Sequence, residues 1–388
     1  MSILQNLSPR ALEAPESGIV EVVNYARTRE GLIPLWVGEG DRPTPAFISA
    51  AASEALAAGE TFYTWQRGIP PLRQALADYY RRSFGHAISP DHVYVTGSGM
   101  QAIKLSIEAV TSPGDDVLYL SPAWPNFAAS AALSGCRPHA VEIDFRDGRW
   151  QLDAGRIEAA VTQKTTALFV NTPSNPTGWT ATRADLADIL SIARRHGLWI
   201  IADEIYARFF YAGGRALSFL DVMEEGDRIL FVNSFSKNWA MTGWRVGWIV
   251  APPETGQVLE NLIQYSTSGV AQFMQKGALA AIEAGDPVIE EHVAIATRAR
   301  DLFCDALIAT NRVETLKPDG AFYAFLKIDG ITDTRRAAID IVDRALVGLA
   351  PGTAFGPGGA PFLRACFLRD PAQVSEAAER LAAYIKAL

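Results

Sequence analysis

The chain has 388 residues, of which 49% are hydrophobic and 20% charged, a balance typical of a globular protein that excludes a disordered one. Its formal net charge of −8 argues against a nucleic-acid partner, which needs clustered positive charge. Three widely spaced cysteines and five dispersed histidines indicate neither a disulfide framework nor a metal site. Because the first residues lack a signal-peptide pattern and no apolar run reaches membrane-spanning length, we expect a cytoplasmic protein with no membrane partner.

From about residue 90, short apolar runs alternate with helical stretches. The runs predicted as strands lie at 92–96, 116–121, 166–171, 199–206, 229–237 and 244–251. In the stretch 183–197 between two of them, Leu186, Ile189 and Ala193 fall on one helical face. Nearly continuous apolar strands separated by amphipathic helices predict a mainly parallel sheet covered on both faces. The last strand follows its neighbour too closely for a helical crossover, so we expect it to be antiparallel.

Beyond residue 252 the sequence becomes mainly helical. It contains a strand-like segment at 320–328 and ends in an amphipathic helix at about 371–387. This pattern predicts a second, smaller α+β unit that the first forty or so residues join. We therefore divide the chain into a large domain, 45–285, and a small discontinuous domain, 1–44 with 286–388.

Polar groups follow five of the predicted strands, and ligands of open α/β sheets bind at the carboxyl ends of strands. The stretch TGSGMQA (96–102) follows a strand and opens a helix, so its backbone N–H groups favour an anion. It also matches the dinucleotide fingerprint G-x-G-x-x-A. That fingerprint expects an acidic residue about 20 positions further on, and the strand at 116–121 supplies none. The loop therefore favours a single phosphate, or else is a tight turn without a ligand.

Two charged residues occupy unusual surroundings. Asp203 ends a strand that we expect to be buried, where a carboxylate either caps a helix or pairs with a cation such as a protonated heterocyclic nitrogen. Lys237 ends another predicted strand, among serines and tryptophans, where it is either a solvated surface lysine or an amine kept for nucleophilic chemistry. Together with the anion loop and the aromatic side chain of Trp124, these groups form the inventory expected for pyridoxal phosphate.

The chain closely resembles the class I/II aminotransferases of the aspartate aminotransferase family, which have PLP fold type I. The resemblance covers nearly the whole chain and is carried by GEGDRPTP (38–45), NTPSNPTG (171–178), ADEIY (202–206), SFSKNWAMTGWRVGW (234–248) and FLRACF (362–367). It implies a three-layer α/β/α large domain with a mainly parallel mixed sheet, plus a smaller α+β domain. It also implies a homodimer with shared sites that moves an amino group from an L-amino acid to a 2-oxo acid by a ping-pong mechanism.

Matched position by position, the resemblance implies roles in holding pyridoxal 5′-phosphate. Lys237 forms the Schiff base and then moves the proton at the substrate Cα. Asp203 holds the pyridinium nitrogen, and Asn175 and Tyr206 bind the phenolic oxygen. Trp124 stacks on the ring.

The resemblance also implies residues for the phosphate and for the substrate. The phosphate ligands are Ser98, Gly99, Met100, Ser234, Ser236, Arg245 and, from the neighbouring subunit, Tyr63. Arg364 grips the substrate α-carboxylate as a bidentate pair, with help from Asn175 and the backbone of Gly38.

Two departures from the family pattern bear on the substrate. Met100 stands where some relatives with acidic substrates have a lysine, and GEGD replaces the commoner GEPD. The missing cation favours a neutral or aromatic amino acid, which apolar surroundings of Trp65 and Trp179 suit, while Arg67 is an alternative cation. Because Arg67 could supply the cation, an aspartate/2-oxoglutarate aminotransferase is an alternative. A C–S β-lyase is another alternative, because it would share all of these catalytic residues. A dinucleotide oxidoreductase and a non-catalytic regulatory module are the alternatives from other classes.

Overall fold

The computed structural model of the protein describes residues 3–388. The α-helices are α1 (Pro9–Leu12), α2 (Gly18–Ala26), α3 (Ala46–Ala57), α4 (Pro70–Phe84), α5 (Gly99–Val110), α6 (Asn126–Leu133), α7 (Ala154–Ala160), α8 (Arg183–His196), α9 (Phe235–Asn238), α10 (Gly256–Ser266), α11 (Gln272–Ala284), α12 (Asp286–Ile308), α13 (Thr334–Ala345) and α14 (Pro371–Lys386). The strands are β1 (Ile33–Pro34), β2 (Val93–Thr96), β3 (Asp116–Ser121), β4 (Arg137–Glu142), β5 (Asp144–Arg146), β6 (Arg149–Gln151), β7 (Thr165–Asn171), β8 (Trp199–Asp203), β9 (Ile229–Ser234), β10 (Gly247–Val250), β11 (Val313–Glu314), β12 (Tyr323–Ile328), β13 (Val347–Gly348), β14 (Ala350–Pro351) and β15 (Leu363–Cys366).

A seven-stranded sheet forms the centre of the molecule, in the order β2-β10-β9-β8-β7-β3-β4. Strand β10 runs antiparallel to both of its neighbours, and the remaining pairs are parallel. Strands β2, β9 and β10 are buried along their whole length, as expected for a sheet covered on both faces. The structure thus confirms the mainly parallel mixed sheet and the antiparallel strand that the sequence predicted.

Helix α8 shows how the sequence encodes the covering helices. Its first turn is closed by a capping box in which Thr182 and Asp185 exchange side-chain-to-backbone hydrogen bonds. Its last turn ends at Gly197 in the left-handed region, with φ of 65°. The apolar stripe that includes Leu186 and Ile189 is fully buried against the sheet.

Several elements differ from the sequence-based expectation. The edge strand β4 was not predicted because its sequence, RPHAVE, is polar and largely exposed, as edge strands often are. The hairpin β5–β6 was also missed, although its turn residues Asp147 and Gly148 both have positive φ. The predicted strand 229–237 ends at Ser234, whose side chain caps the short helix α9. Lys237 therefore lies on a helical turn just beyond the strand.

A second, four-stranded antiparallel sheet has the order β11-β12-β15-β14. The N-terminal segment joins this part of the chain, because β1 pairs in parallel with β13 and Arg335 forms an ion pair with Glu21 of α2 at 2.7 Å. The proposed division into 45–285 and 1–44 with 286–388 stays a prediction. Among the described residues, no helix has the length and apolar character needed to cross a membrane.

Candidate active site

A cavity of about 480 Å³ opens at the carboxyl ends of the central strands. The central sheet, the second sheet and helix α2 all contribute to its walls. Twelve of the residues that the sequence analysis selected line it: Gly38, Gly99, Met100, Trp124, Asn175, Asp203, Tyr206, Ser234, Ser236, Lys237, Arg245 and Arg364. The side chains that the sequence placed on separate motifs are therefore brought together in one site.

Lys237 extends from α9 into this cavity. Its Nζ donates a hydrogen bond to the carbonyl oxygen of Gly38 at 2.6 Å. Burial lowers the pKa of Lys237 to about 8, because desolvation disfavours the ammonium form, while Cys366 and Glu39 partly oppose the shift. A surface lysine would keep its ordinary pKa. The amine here is therefore poised to lose its proton near neutral pH, as a nucleophile or base must.

Asp203, the last residue of β8, is 5% exposed. Its Oδ1 accepts a hydrogen bond from the backbone N–H of Ile205 at 3.3 Å, so it caps a turn rather than a helix. Burial raises the pKa of Asp203 to about 7. Within residues 3–388 no ion pair forms to this carboxylate. A cationic ring nitrogen would supply the missing positive charge, so Asp203 fits a protonated pyridine.

The N-terminus of α5 is shaped for an anion. Ser98 has φ of 143°, and its Oγ accepts a hydrogen bond from the N–H of Gln101 at 3.0 Å. The Ser98 side chain is thus occupied by the helix and does not line the cavity, whereas Gly99 and Met100 do. A Cβ at Gly247 would lie 2.6 Å from the backbone N of Gly99. Glycine at 247 lets the β10 backbone support this helix start, where free N–H groups attract a phosphate.

Ser234, Ser236 and Arg245 lie beside this helix start. The Oγ atoms of Ser234 and Ser236 are 2.7 Å apart, and both side chains are buried. Arg245 has φ of 55°, and its Nη1 donates to the carbonyl oxygen of Thr242 at 2.5 Å. In the described part of the chain, no carboxylate forms an ion pair with this guanidinium. These hydroxyl and guanidinium donors, with the α5 amides, fit a phosphate group.

Arg364 is the only arginine of residues 3–388 with a fully buried side chain, at 2% exposed. Its Nη1 donates to Asn175 Oδ1 at 3.2 Å and its Nη2 donates to the carbonyl oxygen of Trp36, while Nε has no partner. The guanidinium carbon lies over the rings of Tyr323 and Phe355, at 4.8 and 5.1 Å from their centroids. A buried cation without a carboxylate is costly unless a ligand supplies one, which fits a substrate carboxylate.

The sequence analysis missed two parts of the lining. Tyr323 begins β12, and its hydroxyl is 2.8 Å from that of Tyr206. Helix α2 contributes Ile19, Val20 and Val23, which form an apolar wall. The amphipathic pattern of α2 predicts a buried face but not which site that face covers.

The apolar wall differs from the one expected around Trp65 and Trp179. Trp65 is mostly exposed and Trp179 is buried in the core, and neither lines the cavity. Arg67, the alternative cation, is ion-paired with Glu260 at 2.7 Å outside the cavity. Tyr63 also lies outside it, with 92% of its surface exposed. The sequence identifies these side chains as aromatic or charged but does not specify which surface of the protein each one faces. The role of Tyr63 at the neighbouring subunit stays a prediction.

Comparison with known proteins gives the family. The model of the family "Aminotransferase class I and II" matches residues 32–381. The chain is 33% identical to an arginine–pyruvate transaminase of Pseudomonas aeruginosa, over 92% of this chain and 91% of that one. It is 32% identical to an aspartate aminotransferase of Thermotoga maritima, over 97% and 98%, and 32% identical to an aromatic-amino-acid aminotransferase of Thermococcus litoralis, over 98% of each.

Solved structures show the same relationship. The aspartate aminotransferase of Rhizobium meliloti superimposes with a TM-score of 0.91 at 30% identity, over 98% of each chain. The alanine aminotransferase of Pyrococcus furiosus superimposes with a TM-score of 0.92 at 29% identity, over 98% of this chain and all of that one. With a cavity that fits both ends of the cofactor and a substrate carboxylate, these matches show that the chain belongs to the class I and II aminotransferases and is a pyridoxal-5′-phosphate-dependent transaminase.

Proposed function

We propose that the enzyme transfers the amino group of a neutral or aromatic L-amino acid to a 2-oxo acid, with Lys237, Asp203 and Arg364 as its principal catalytic and binding residues. One observation carries this proposal. The Lys237 amine shares a cavity with a buried carboxylate that lacks a cation and a buried guanidinium that lacks an anion. A zwitterionic substrate and a cationic cofactor ring supply the charges that these two groups lack.

The residues that would hold the cofactor follow from the site. Gly99, Met100, Ser234, Ser236 and Arg245 would hold the phosphate, with Ser98 shaping the helix start and Tyr63 of the neighbouring subunit completing the set. Trp124 would cover one face of the ring, Asp203 would pair with the ring nitrogen, and Asn175 and Tyr206 would bind the phenolic oxygen. When bound, pyridoxal 5′-phosphate supplies an electron sink next to the substrate Cα.

Lys237 would take the proton from the substrate Cα and return it to the cofactor side. The Gly38 carbonyl, at 2.6 Å, holds the amine at the centre of the cavity. The depressed pKa of about 8 lets the amine serve as a base close to neutral pH. Arg364 and Asn175 would orient the substrate carboxylate, while Ile19 and Val23 of α2 limit the access of water.

The substrate class follows from the apolar wall that α2 contributes to the cavity. Ile19, Val20 and Val23 present apolar surface to the cavity, which favours a neutral or aromatic side chain. One observation favours a second candidate, an acidic substrate such as aspartate. Arg27, the residue that follows the last residue of α2, also lines the cavity and forms no ion pair within residues 3–388. Met100 supplies no cation on the opposite side.

A homodimer with shared sites is part of the proposal. Phe62, Tyr63, Trp65 and Tyr265 have 82%, 92%, 59% and 89% of their surfaces exposed. They belong to two segments that the hydrogen bond from Gln66 Nε2 to Gln264 Oε1, at 2.9 Å, brings together, and we call them the aromatic patch. Exposed apolar surface of this kind marks an interaction site, and a second copy of the chain would cover it. The cytoplasmic location stays a prediction from the sequence.

A panel of amino acids tests the substrate class. Each is added alone to the cofactor-loaded enzyme, and the rate of the change in visible absorbance is recorded. We expect phenylalanine, tyrosine and leucine to react faster than aspartate. Faster reaction with aspartate that is lost in Arg27→Ala would establish the acidic substrate instead. Release of pyruvate and ammonia from cysteine or cystathionine, with loss of the sulfur group as a thiol and without an oxo acid, would identify a C–S β-lyase.

A further inference from the structure

Tyr323 lies between the two ends of the cavity. It begins β12, is fully buried and lines the cavity. Its hydroxyl faces Tyr206 and its ring faces Arg364. We propose that Tyr323 is a positioning residue with two separable parts: its hydroxyl directs the Tyr206 proton into the cavity, and its ring supports the Arg364 guanidinium. This inference rests on the roles of Tyr206 and Arg364 in the proposed function.

The hydroxyl part follows from counting protons. Tyr323 Oη lies 2.8 Å from Tyr206 Oη but 3.4 Å from the carbonyl oxygen of Gly38. That carbonyl already accepts the 2.6 Å hydrogen bond from Lys237. The single proton of Tyr323 therefore makes its better hydrogen bond to Tyr206. Tyr206 then accepts from Tyr323, and its own proton points into the cavity.

Both hydroxyls keep their protons at neutral pH. Burial raises the pKa of Tyr206 and raises that of Tyr323 well above the ordinary value. Each oxygen thus carries one hydrogen, and the pair can be arranged in only two directions. A hydrogen bond received by Tyr206 also polarises its O–H group, which strengthens the bond that it donates to an acceptor in the cavity.

The ring part follows from the packing of Arg364. The guanidinium carbon lies over the Tyr323 ring, 4.8 Å from its centroid, and 5.1 Å from the centroid of the Phe355 ring. Such contacts restrict the plane in which the guanidinium presents its N–H groups. The hydroxyl takes no part in this contact, so removing it should leave the substrate carboxylate site intact.

The absence of a side chain at Gly38 leaves room for the Tyr323 hydroxyl. A Cβ added at Gly38 would lie 2.6 Å from Tyr323 Oη, which is closer than real Cβ atoms approach. Glycine at 38 therefore leaves the space that the Tyr323 hydroxyl occupies, and it keeps the Gly38 carbonyl within reach of Lys237.

The first experiment measures the pH at which the visible absorbance of the bound cofactor titrates. A hydrogen bond donated to the phenolic oxygen stabilises negative charge there, so weakening it raises the apparent pKa of the chromophore. We expect Tyr206→Phe to raise this pKa by more than about one unit and Tyr323→Phe by a smaller amount in the same direction. In the double variant the value should equal that of Tyr206→Phe alone, because Tyr323 acts only through Tyr206.

Tyr211→Phe is the matched control. The Tyr211 hydroxyl donates to the carbonyl oxygen of Ala321 at 2.5 Å outside the cavity, so its loss should not move the chromophore pKa. The hydroxyl part is overturned by an unchanged pKa in Tyr323→Phe or by a shift that persists in the Tyr206→Phe background. It is also overturned by an unchanged pKa in Tyr206→Phe, which is the expected result if the Tyr206 proton points at Tyr323.

The second experiment separates the ring from the hydroxyl through KM. Tyr323→Phe keeps the ring, so the KM for the amino acid should stay within about twofold of the wild-type value. Tyr323→Leu removes it, and KM should rise about tenfold, as expected for a desolvated cation–π contact. Equal KM values in the two variants would overturn the ring part. Wild-type enzyme that binds the cofactor but reacts with no amino acid would instead contradict the proposed function and leave the chromophore titration interpretable.

Discussion

At the scale of single residues, Lys237 is the group whose loss should be most damaging. In Lys237→Ala, the phosphate and ring-nitrogen ligands remain, so the cofactor should bind non-covalently. Because the variant lacks the amine that we propose as the base, the rate of the amino-acid half-reaction should fall by at least about 10²–10⁴-fold, the usual contribution of a general base. Single-turnover absorbance measurements check this. Substantial residual turnover would mean that another group moves the proton.

Asp203 should make the stability of the cofactor-free protein depend on pH. Its folded pKa of about 7 lies above its ordinary value of 3.8, so between these pH values the folded protein holds a proton that the unfolded chain has lost. Stability should therefore fall as the pH rises from about 4 to 7 and stay constant above that. A shift of this size corresponds to roughly 4 kcal/mol as an upper bound. The pKa of Lys237 is lowered to about 8, so Lys237 changes the pH dependence of stability only at pH values above this range.

Urea unfolding of the cofactor-free protein at pH 5 and pH 8 measures this effect. Asp203→Asn should reduce the loss of stability between the two values, and added cofactor should do the same in the wild type by giving Asp203 a cation. Glu204→Gln is the matched control. Glu204 has a similarly raised pKa of about 7, but it is bound by Ser218 outside the cavity. The part of the pH dependence that is lost in Glu204→Gln, which is the contribution of Glu204, should have the same size with and without cofactor. If added cofactor removed this part as well, the effect of the cofactor could not be assigned to the pairing of Asp203 with the ring.

The sequence predicted the charged members of the site better than the neutral ones. Asp203 and Lys237 were recognised because a charged group at a buried strand needs either a compensating charge or a chemical role. Both requirements could be inferred from the sequence. Tyr323 gave no such signal, since a tyrosine in a strand is typical of β-structure. Its partners, Tyr206 and Gly38, lie far away along the chain, so only the three-dimensional structure shows that their polar groups meet.

At the scale of elements, the anion site depends on the close approach of the β10 backbone to the start of α5. Gly247→Ala would place a Cβ 2.6 Å from backbone atoms of Ser98 and Gly99, and neither strand nor helix can move without disturbing the other. We expect the affinity of the apo-protein for pyridoxal 5′-phosphate to fall about tenfold or more, as overpacking of this kind costs about 1–3 kcal/mol. Fluorescence titration with the cofactor measures the loss.

Gly243→Ala serves as the control for this prediction. Gly243 belongs to the same loop as Arg245, but nothing lies within 4 Å of the Cβ that it would gain. Its cofactor affinity should match the wild type. An unchanged affinity in Gly247→Ala would show that the start of α5 does not hold the phosphate.

The same scale shows why some elements could be predicted and others not. Buried strands such as β7 and β9 were found because both of their faces are apolar. The edge strand β4 has a polar and largely exposed sequence, so its pairing with β3 is set by the neighbouring strand rather than by its own pattern. Helix α2 was not assigned to the site because amphipathicity specifies a buried face without specifying what the helix packs against.

At the scale of the whole molecule, shared sites make a prediction about mixed subunits. If Tyr63 serves the neighbouring site, a dimer of one Lys237→Ala subunit and one Tyr63→Ala subunit contains one site with both changes and one with neither. Random reassociation of equal amounts in a twofold-symmetric dimer should therefore restore about a quarter of the wild-type activity. The measurement is the initial rate after the two variants are unfolded together and refolded, compared with each variant refolded alone.

A mixture of Lys237→Ala subunits with Arg364→Ala subunits is the control for this test. Both residues line the cavity of the same chain, so every mixed dimer would carry one damaged residue in each site and should remain inactive. Recovery with Tyr63→Ala but not with Arg364→Ala would therefore assign Tyr63 to the opposite subunit. Recovery with neither would assign Tyr63 to the site of its own chain and contradict the sharing of sites. Wild-type activity of Tyr63→Ala refolded alone would place Tyr63 outside the site. The aromatic patch around it would then contribute to association alone, and its 92% exposure in one chain would reflect only the surface that dimerisation buries.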